Sequence, residues 1–187
     1  MKVVVTGPTG AGKTTFIETI SEITVLAGDQ PASSVTSPDD SAAVAMDFGR
    51  ITVGRGLALY LFGAPGQARF DFLWDILAEG MLGFVLVVDD QQPESLLQGR
   101  RILRSFTETA TVPFVVALNR VERDPAVASS EARAALNLSS DVAVVATDVS
   151  DRDQVKEVLL ALLHTARESV AAQAGSAGQR LAEEVRP

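Results

Sequence analysis

Residues 7 to 14 read Gly7-Pro8-Thr9-Gly10-Ala11-Gly12-Lys13-Thr14 and match G-x-x-x-x-G-K-[ST] at every fixed position. The pattern suits one task, holding a polyphosphate. Glycines let backbone N–H groups wrap the phosphate. The Lys13 ammonium reaches the β/γ oxygens, and the Thr14 hydroxyl ligates Mg²⁺. Gly7, Thr9, Gly10, Ala11, Gly12, Lys13, Thr14 and Thr15 are therefore the expected nucleotide contacts. The motif needs a strand before it and a helix after it. Val3-Val4-Val5 is a β-branched run before it, and Phe16, Ile17, Ile20 and Ile23 recur at helical spacing after it.

Beyond the loop, strand-like runs alternate with helical patterns. That order predicts an α/β fold, a mostly parallel sheet with helices on both faces. The strand candidates are Lys2–Thr6, Ala45–Thr52, Ala58–Phe62, Phe84–Asp89, Phe114–Leu118 and Ala143–Ala146. Several are apolar throughout, as expected of strands covered on both sides. Only Val53-Gly54-Arg55-Gly56-Leu57 separates the second from the third. That is hairpin spacing, so this pair should be antiparallel and the sheet mixed. Near the end, Val155, Val158, Leu159, Leu162, Leu163, Ala166 and Val170 form one apolar stripe, with Asp151 or Asp153 as the cap. His164 lies in this helix and has no identifiable partner, so it reads as a structural or surface residue. We expect one domain over residues 1–174 and a disordered tail over 175–187. Residues 28–43, rich in Ser, Pro, Asp and Ala, read as a long loop before the second strand.

The chain has 187 residues, 47% hydrophobic and 21% charged, as in ordinary globular domains. A net charge of −8 argues against nucleic acid as a partner. With no Cys there is no disulfide, cysteine metal site or cysteine-linked lipid. No apolar run reaches the roughly 18 residues of a membrane helix. The expectation is a cytoplasmic protein without a stable membrane anchor.

Three further motifs follow the loop. Leu61-Phe62-Gly63-Ala64-Pro65-Gly66-Gln67-Ala68-Arg69-Phe70 comes after the third strand. It resembles the third signature of small GTPases. Asn119-Arg120-Val121-Glu122 ends the fifth strand and resembles the guanine motif N-K-x-D. Thr147-Asp148-Val149-Ser150 occupies the place of the S-A-K loop after the sixth strand. Together they cover residues 1 to 172, and their order resembles a Ras-like GTPase. Within that group the chain is similar to a bacterial branch, the MglA-like small GTPases and the conservon-type ATP/GTP-binding proteins of actinobacteria.

The resemblance implies a three-layer P-loop NTPase fold with a Ras-like six-stranded sheet and one antiparallel strand. It implies GTP and GDP as ligands, with Mg²⁺. By the same likeness, the Gly66 N–H meets the γ-phosphate and Gln67 orients the attacking water. The Glu122 carboxylate accepts from guanine N1–H and the exocyclic amine. Asn119 ties the loops together, and the Arg120 stem stacks on the base. Asp148 and Val149 contact the base from its other side. The expected partners are a roadblock-domain protein and a sensor kinase-like protein.

Four departures qualify this. Ras-like proteins carry an Asp at the start of the third motif, where this chain has Gly63; Asp47 on the second strand is the substitute. The loop Thr that would bind Mg²⁺ is Ala43, leaving Ser41 or Thr36 only if the loop shifts. The place of an arginine finger is Ala42. Glu122 stands for Asp and Arg120 for Lys. The sequence thus predicts a signalling switch with slow GTP hydrolysis. The alternative is a GDP-preferring scaffold with little or no turnover. A P-loop kinase is disfavoured, because no lid-like Arg cluster is present.

Overall fold

The computed structural model describes residues 1–25, 46–54, 56–66 and 72–184. Gln67, Arg69 and Phe70 lie outside these, as do the expected loop 28–43 and its Thr36, Ser41, Ala42 and Ala43. The elements in chain order are β1 (Lys2–Thr6), α1 (Lys13–Ile20), β2 (Phe48–Val53), β3 (Leu57–Gly63), α2 (Phe72–Ala78), β4 (Met81–Asp89), α3 (Pro93–Thr109), β5 (Phe114–Asn119), α4 (Pro125–Leu136), β6 (Val144–Thr147) and α5 (Arg152–Glu184).

The strands form one sheet in the order β2-β3-β1-β4-β5-β6. β2 and β3 pair antiparallel, from Phe48 opposite Phe62 to Val53 opposite Leu57. All other neighbours are parallel. Left-handed glycines, Gly54 (φ 60°) and Gly56 (φ 95°), stand in the connection that turns this hairpin. This is the mixed α/β sheet expected from the run lengths. Because β1, β3, β4, β5 and β6 run the same way, their carboxyl ends share one edge. The chain leaves β1 toward β3 and later returns to β4 on its other side. Such a switch point at the carboxyl edge is where open α/β sheets bind ligands.

Side-chain alternation builds two cores. Val3, Val5, Val85, Val87, Val115 and Ala117 face α1 and α5, meeting Phe16, Ile17, Ile20, Val155, Val158 and Leu162. Val4, Phe84, Leu86, Val88, Val116 and Leu118 face the other way, against Trp74 and Leu77 of α2, Phe106 of α3 and Leu136 of α4. Period-two alternation sends neighbouring valines to opposite layers, so the apolar runs are explained by burial on both faces.

The apolar stripe of α5 packs as expected through Ala166, while Val170 is exposed. Asp151 is the cap: its Oδ1 accepts from Asp153 N at 2.9 Å and Gln154 N at 3.2 Å. His164 is exposed. α5 runs from Arg152 to Glu184, through Gly175 and Gly178, and residues 185–187 lie outside the described residues. Gly175 and Gly178 lower helix propensity by about 1 kcal/mol each, which strong neighbours such as Ala, Gln, Leu and Glu offset.

Candidate nucleotide-binding site

The phosphate loop bridges β1 and α1, and its glycines are required by geometry. Gly7 has φ 144°, and a Cβ there would lie 2.0 Å from the Val87 carbonyl oxygen. Gly12 caps α1 with φ 109°; a Cβ would meet Asn119 Nδ2 at 2.8 Å and Val149 Cγ2 at 2.9 Å. Gly10 is also left-handed, at φ 80°. Gly12 offers no side-chain cap to α1, and the first turn carries no acid. The helix N-terminus therefore presents its first-turn N–H groups and positive dipole end on the side of the loop, a setting that suits an anion. Lys13 lies back along the loop, its Nζ donating to the Pro8 carbonyl at 2.7 Å.

Beside the loop lies an oxygen pair. Thr14 Oγ1 donates to Asp47 Oδ2 at 2.7 Å. Asp47 is buried just before β2, and its carbonyl accepts from Gly63 N at 2.8 Å. A Cβ at Gly63 would lie 2.9 Å from Asp47 Oδ2 and 2.8 Å from its Cβ. The Asp47 side chain thus fills the space where a residue-63 side chain would begin. The two positions are alternatives, which gives the Gly63 departure a steric reason. Gly66 is pressed onto the phosphate loop: a Cβ would approach Thr9 N at 2.6 Å and Gly7 O at 2.7 Å. Trp74 holds this segment by donating Nε1–H to the Pro65 carbonyl at 3.3 Å. Trp74 and Leu77 are buried in the core, whereas Ile76 is exposed. Among the described residues no three His, Cys, Asp or Glu side chains cluster as a metal site.

The side where the sequence motifs lead us to expect a base is built from the ends of β4, β5 and β6. Asn119 is buried at the end of β5. Its Nδ2 donates to the Ala11 carbonyl at 2.9 Å. Its Oδ1 accepts from Arg120 N at 3.0 Å and Val149 N at 3.3 Å. One amide thereby joins the phosphate loop, its own loop and the loop after β6. Arg120 has a left-handed backbone, φ 59°, and its Nη1 donates to Asp89 Oδ2 at 2.6 Å. Glu122 is exposed on the same loop. Val149 is buried against Gly12. Asp148 is exposed. The Ser150 hydroxyl and N–H both donate to its Oδ1, at 2.6 Å and 2.9 Å, and hold its carboxyl below the usual carboxylate range.

The structure thus gathers Gly7, Gly10, Ala11, Gly12, Lys13, Thr14, Asp47, Gly66, Asn119, Arg120, Asp148 and Val149 along one edge of the sheet. Thr9 and Thr15 are exposed at the loop and the first turn of α1. Asp89 escaped the sequence reading. It is 1% exposed, and it also accepts from Gln91 N at 3.0 Å and Gln92 Nε2 at 2.8 Å. The signal was present as Asp89-Asp90, two acids ending an otherwise apolar strand.

A family model described as "conserved hypothetical ATP binding protein" matches residues 32–172. The match begins after the phosphate loop, which the chain supplies ahead of it. The chain is 28% identical to "Uncharacterized protein MJ1339" of Methanocaldococcus jannaschii over 122 residues, 65% of this chain and 71% of that protein. It is 26% identical to "Intraflagellar transport protein 22" of Chlamydomonas reinhardtii over 111 residues, 58% of this chain and 54% of that protein. The match therefore spans about half the length of the second relative. Among the described residues no helix is long and apolar enough to cross a membrane. The chain belongs to the family of conserved hypothetical ATP binding proteins, and it is a nucleotide-binding protein of the P-loop, small-GTPase-like type.

Proposed function

We propose that this chain is a guanine-nucleotide switch that binds GTP and GDP with Mg²⁺ and hydrolyses GTP slowly. The observation that carries the reading is the Asn119 side chain, bonded at once to Ala11, Arg120 and Val149. That junction suits a ligand with phosphates on one side and a base on the other.

Lys13 would leave the Pro8 carbonyl for the phosphate oxygens, with N–H groups of the loop and of α1 completing the cradle. Thr14 Oγ1 and Asp47 are hard oxygen donors on adjacent elements, a donor set that suits Mg²⁺. Bound there, the ion would offset charge on the β- and γ-phosphates. Gly66 lies against the loop, so its N–H is a fitting γ-phosphate donor, and Gln67 next to it is the proposed water-orienting residue. The family description names ATP. Glu122 supports guanine instead, because guanine offers two donors where adenine presents an acceptor and one donor.

Ala42 and Ala43 support slow turnover. They offer neither the guanidinium nor the hydroxyl expected there, and an arginine finger is worth roughly 10³–10⁵ in rate. The same alanines favour a second reading, a GDP-preferring scaffold whose switch loops only dock partners. A roadblock-domain protein, a sensor kinase-like protein and a cytoplasmic location are proposed from the likeness to the MglA-like branch.

Denaturing the purified protein and identifying the released nucleotide by chromatography tests the base. Guanine nucleotide is expected; adenine nucleotide overturns the reading. Single-turnover GTP hydrolysis, with and without a roadblock-domain protein, separates switch from scaffold. A rate indistinguishable from uncatalysed hydrolysis in both arms selects the scaffold.

A further inference from the structure

The loop from Asn119 to Asp124 is pinned along its length. Asn119 holds the Ala11 carbonyl, and its own carbonyl accepts from Asp90 N at 2.9 Å. Arg120 is paired with buried Asp89. Arg123 grips Asp90 with two parallel bonds, Nε to Oδ2 at 2.9 Å and Nη2 to Oδ1 at 2.8 Å, and its Nη1 also pairs with Glu131 of α4. Asp124 caps α4, accepting from Ala126 N at 2.8 Å. Val121 packs against the core. Among the described residues, the Glu122 carboxylate makes no hydrogen bond.

The pins have one source. Asp89 and Asp90 are consecutive residues at the end of β4 and on the turn leaving it. Their carboxylates are 1% and 5% exposed, and each holds one arginine of the neighbouring loop. The two arginines flank Glu122. A left-handed backbone at a non-glycine residue such as Arg120 persists only where its surroundings over-determine it, and such residues gather at functional sites.

We infer that Asp89 and Asp90 are positioning residues for base recognition: they hold Arg120 and Arg123 so that Glu122 faces the purine edge before nucleotide arrives. This rests on the guanine reading above and assigns it a mechanism. The bidentate arginine–carboxylate fork at Arg123 fixes direction as well as distance. A loop ordered beforehand loses less freedom on binding, so more of each base contact appears as affinity. The pins also meet a demand of this chain. Glu carries one methylene more than Asp, so its carboxylate reaches the base only from a loop held in a matching position.

The test compares GDP, inosine diphosphate and inorganic pyrophosphate by calorimetry on the full chain. Inosine diphosphate lacks the exocyclic amine, and pyrophosphate lacks the base. Asp89→Asn, Asp90→Asn and Arg123→Gln are the variants. Arg123→Gln alters an exposed side chain and leaves the Asp89 bonds intact, so it keeps the test open if Asp89→Asn does not fold. Wild type should prefer GDP over inosine diphosphate by roughly tenfold, the loss of one hydrogen bond to a charged acceptor. In the variants that ratio should fall toward one, with pyrophosphate affinity kept within about twofold. Variants that keep the wild-type ratio, or lose all three ligands in parallel, overturn the positioning role. Equal wild-type affinity for GDP and inosine diphosphate overturns it as well. Wild type that binds ADP as tightly as GDP overturns the guanine reading and this inference together.

Discussion

The phosphate end and the base end of the proposed site adjoin on one sheet edge, and they are built by different means. At the phosphate end the backbone does the positioning. Gly7, Gly10 and Gly12 take left-handed or crowded conformations closed to other residues, and the loop shape follows from local sequence. At the base end, side chains from distant strands do it. Asn119 reaches back 108 positions to Ala11, and Arg120 reaches 31 positions to Asp89. A cradle of N–H groups will hold any polyphosphate. Discrimination between bases needs one carboxylate in one place, which takes long-range bonds.

The contrast is tested by substitutions on each side, the largest effect first. Lys13→Ala should weaken GDP and GTP binding at least about 100-fold, since it removes charge-assisted bonds of about 1.5–3 kcal/mol each. Equilibrium titration with a fluorescent nucleotide reads this, and guanine preference among the remaining binding should be unchanged. A preference lost with Lys13 would mean that the two ends are not separable.

Asn119→Ala crosses the boundary. It strips three bonds from a buried junction and should cost roughly 2–3 kcal/mol of stability by urea unfolding. Nucleotide affinity should fall with it for every base, which distinguishes the junction from a base reader.

Gly63→Asp should clash with Asp47 and reduce Mg²⁺-dependent nucleotide affinity by about tenfold, given 2.9 Å between a new Cβ and Asp47 Oδ2. The double variant Gly63→Asp with Asp47→Ala should recover most of that loss, because it moves one carboxylate instead of adding a second. Titration at fixed and chelated Mg²⁺ measures both. Absence of recovery would show that Asp47 acts through its place before β2 and not as a substitute for residue 63.

Glu122→Gln should narrow the preference for GDP over ADP by roughly tenfold while phosphate affinity holds, as a bidentate base contact is worth about 1–3 kcal/mol. The smallest effect is at Ser150→Ala, which removes the hydroxyl bond and lets the Asp148 carboxyl rise toward its ordinary value. The sign follows from linkage. A carboxyl with a depressed folded pKa stabilises the fold above its unfolded pKa, and this is lost as pH falls through the folded one. Wild type should therefore hold a slight advantage over the variant at neutral pH that vanishes in acid. Carbon-detected NMR titration of Asp148 would show the shift directly, and solvent screening keeps its energy small.

Much of this was legible in the residues. The strands follow from β-branched runs, and the hairpin from five intervening residues with two glycines. The stripe of α5 and its cap were readable for the same local reason. Less legible were the places where local signals compete. Gly175 and Gly178 lower helix propensity, yet α5 runs through both, since single glycines weaken a helix without breaking it. Asp89 reads only as the last residue of a strand until β4 and β5 are aligned, with Asp89 opposite Asn119.

The sequence alone determined the phosphate-loop pattern and its setting, because G-x-x-x-x-G-K-[ST] between a strand and a helix encodes its geometry in consecutive residues. Tertiary structure decided what surrounds that loop: Asp47 in the space vacated by Gly63, Asn119 as the junction of three loops, and Asp89 with Asp90 behind Arg120 and Arg123. Those contacts join residues 16 to 108 positions apart, at the ends of different strands and in the loops that follow them. Only the order of strands in the folded sheet brings such residues within bonding distance.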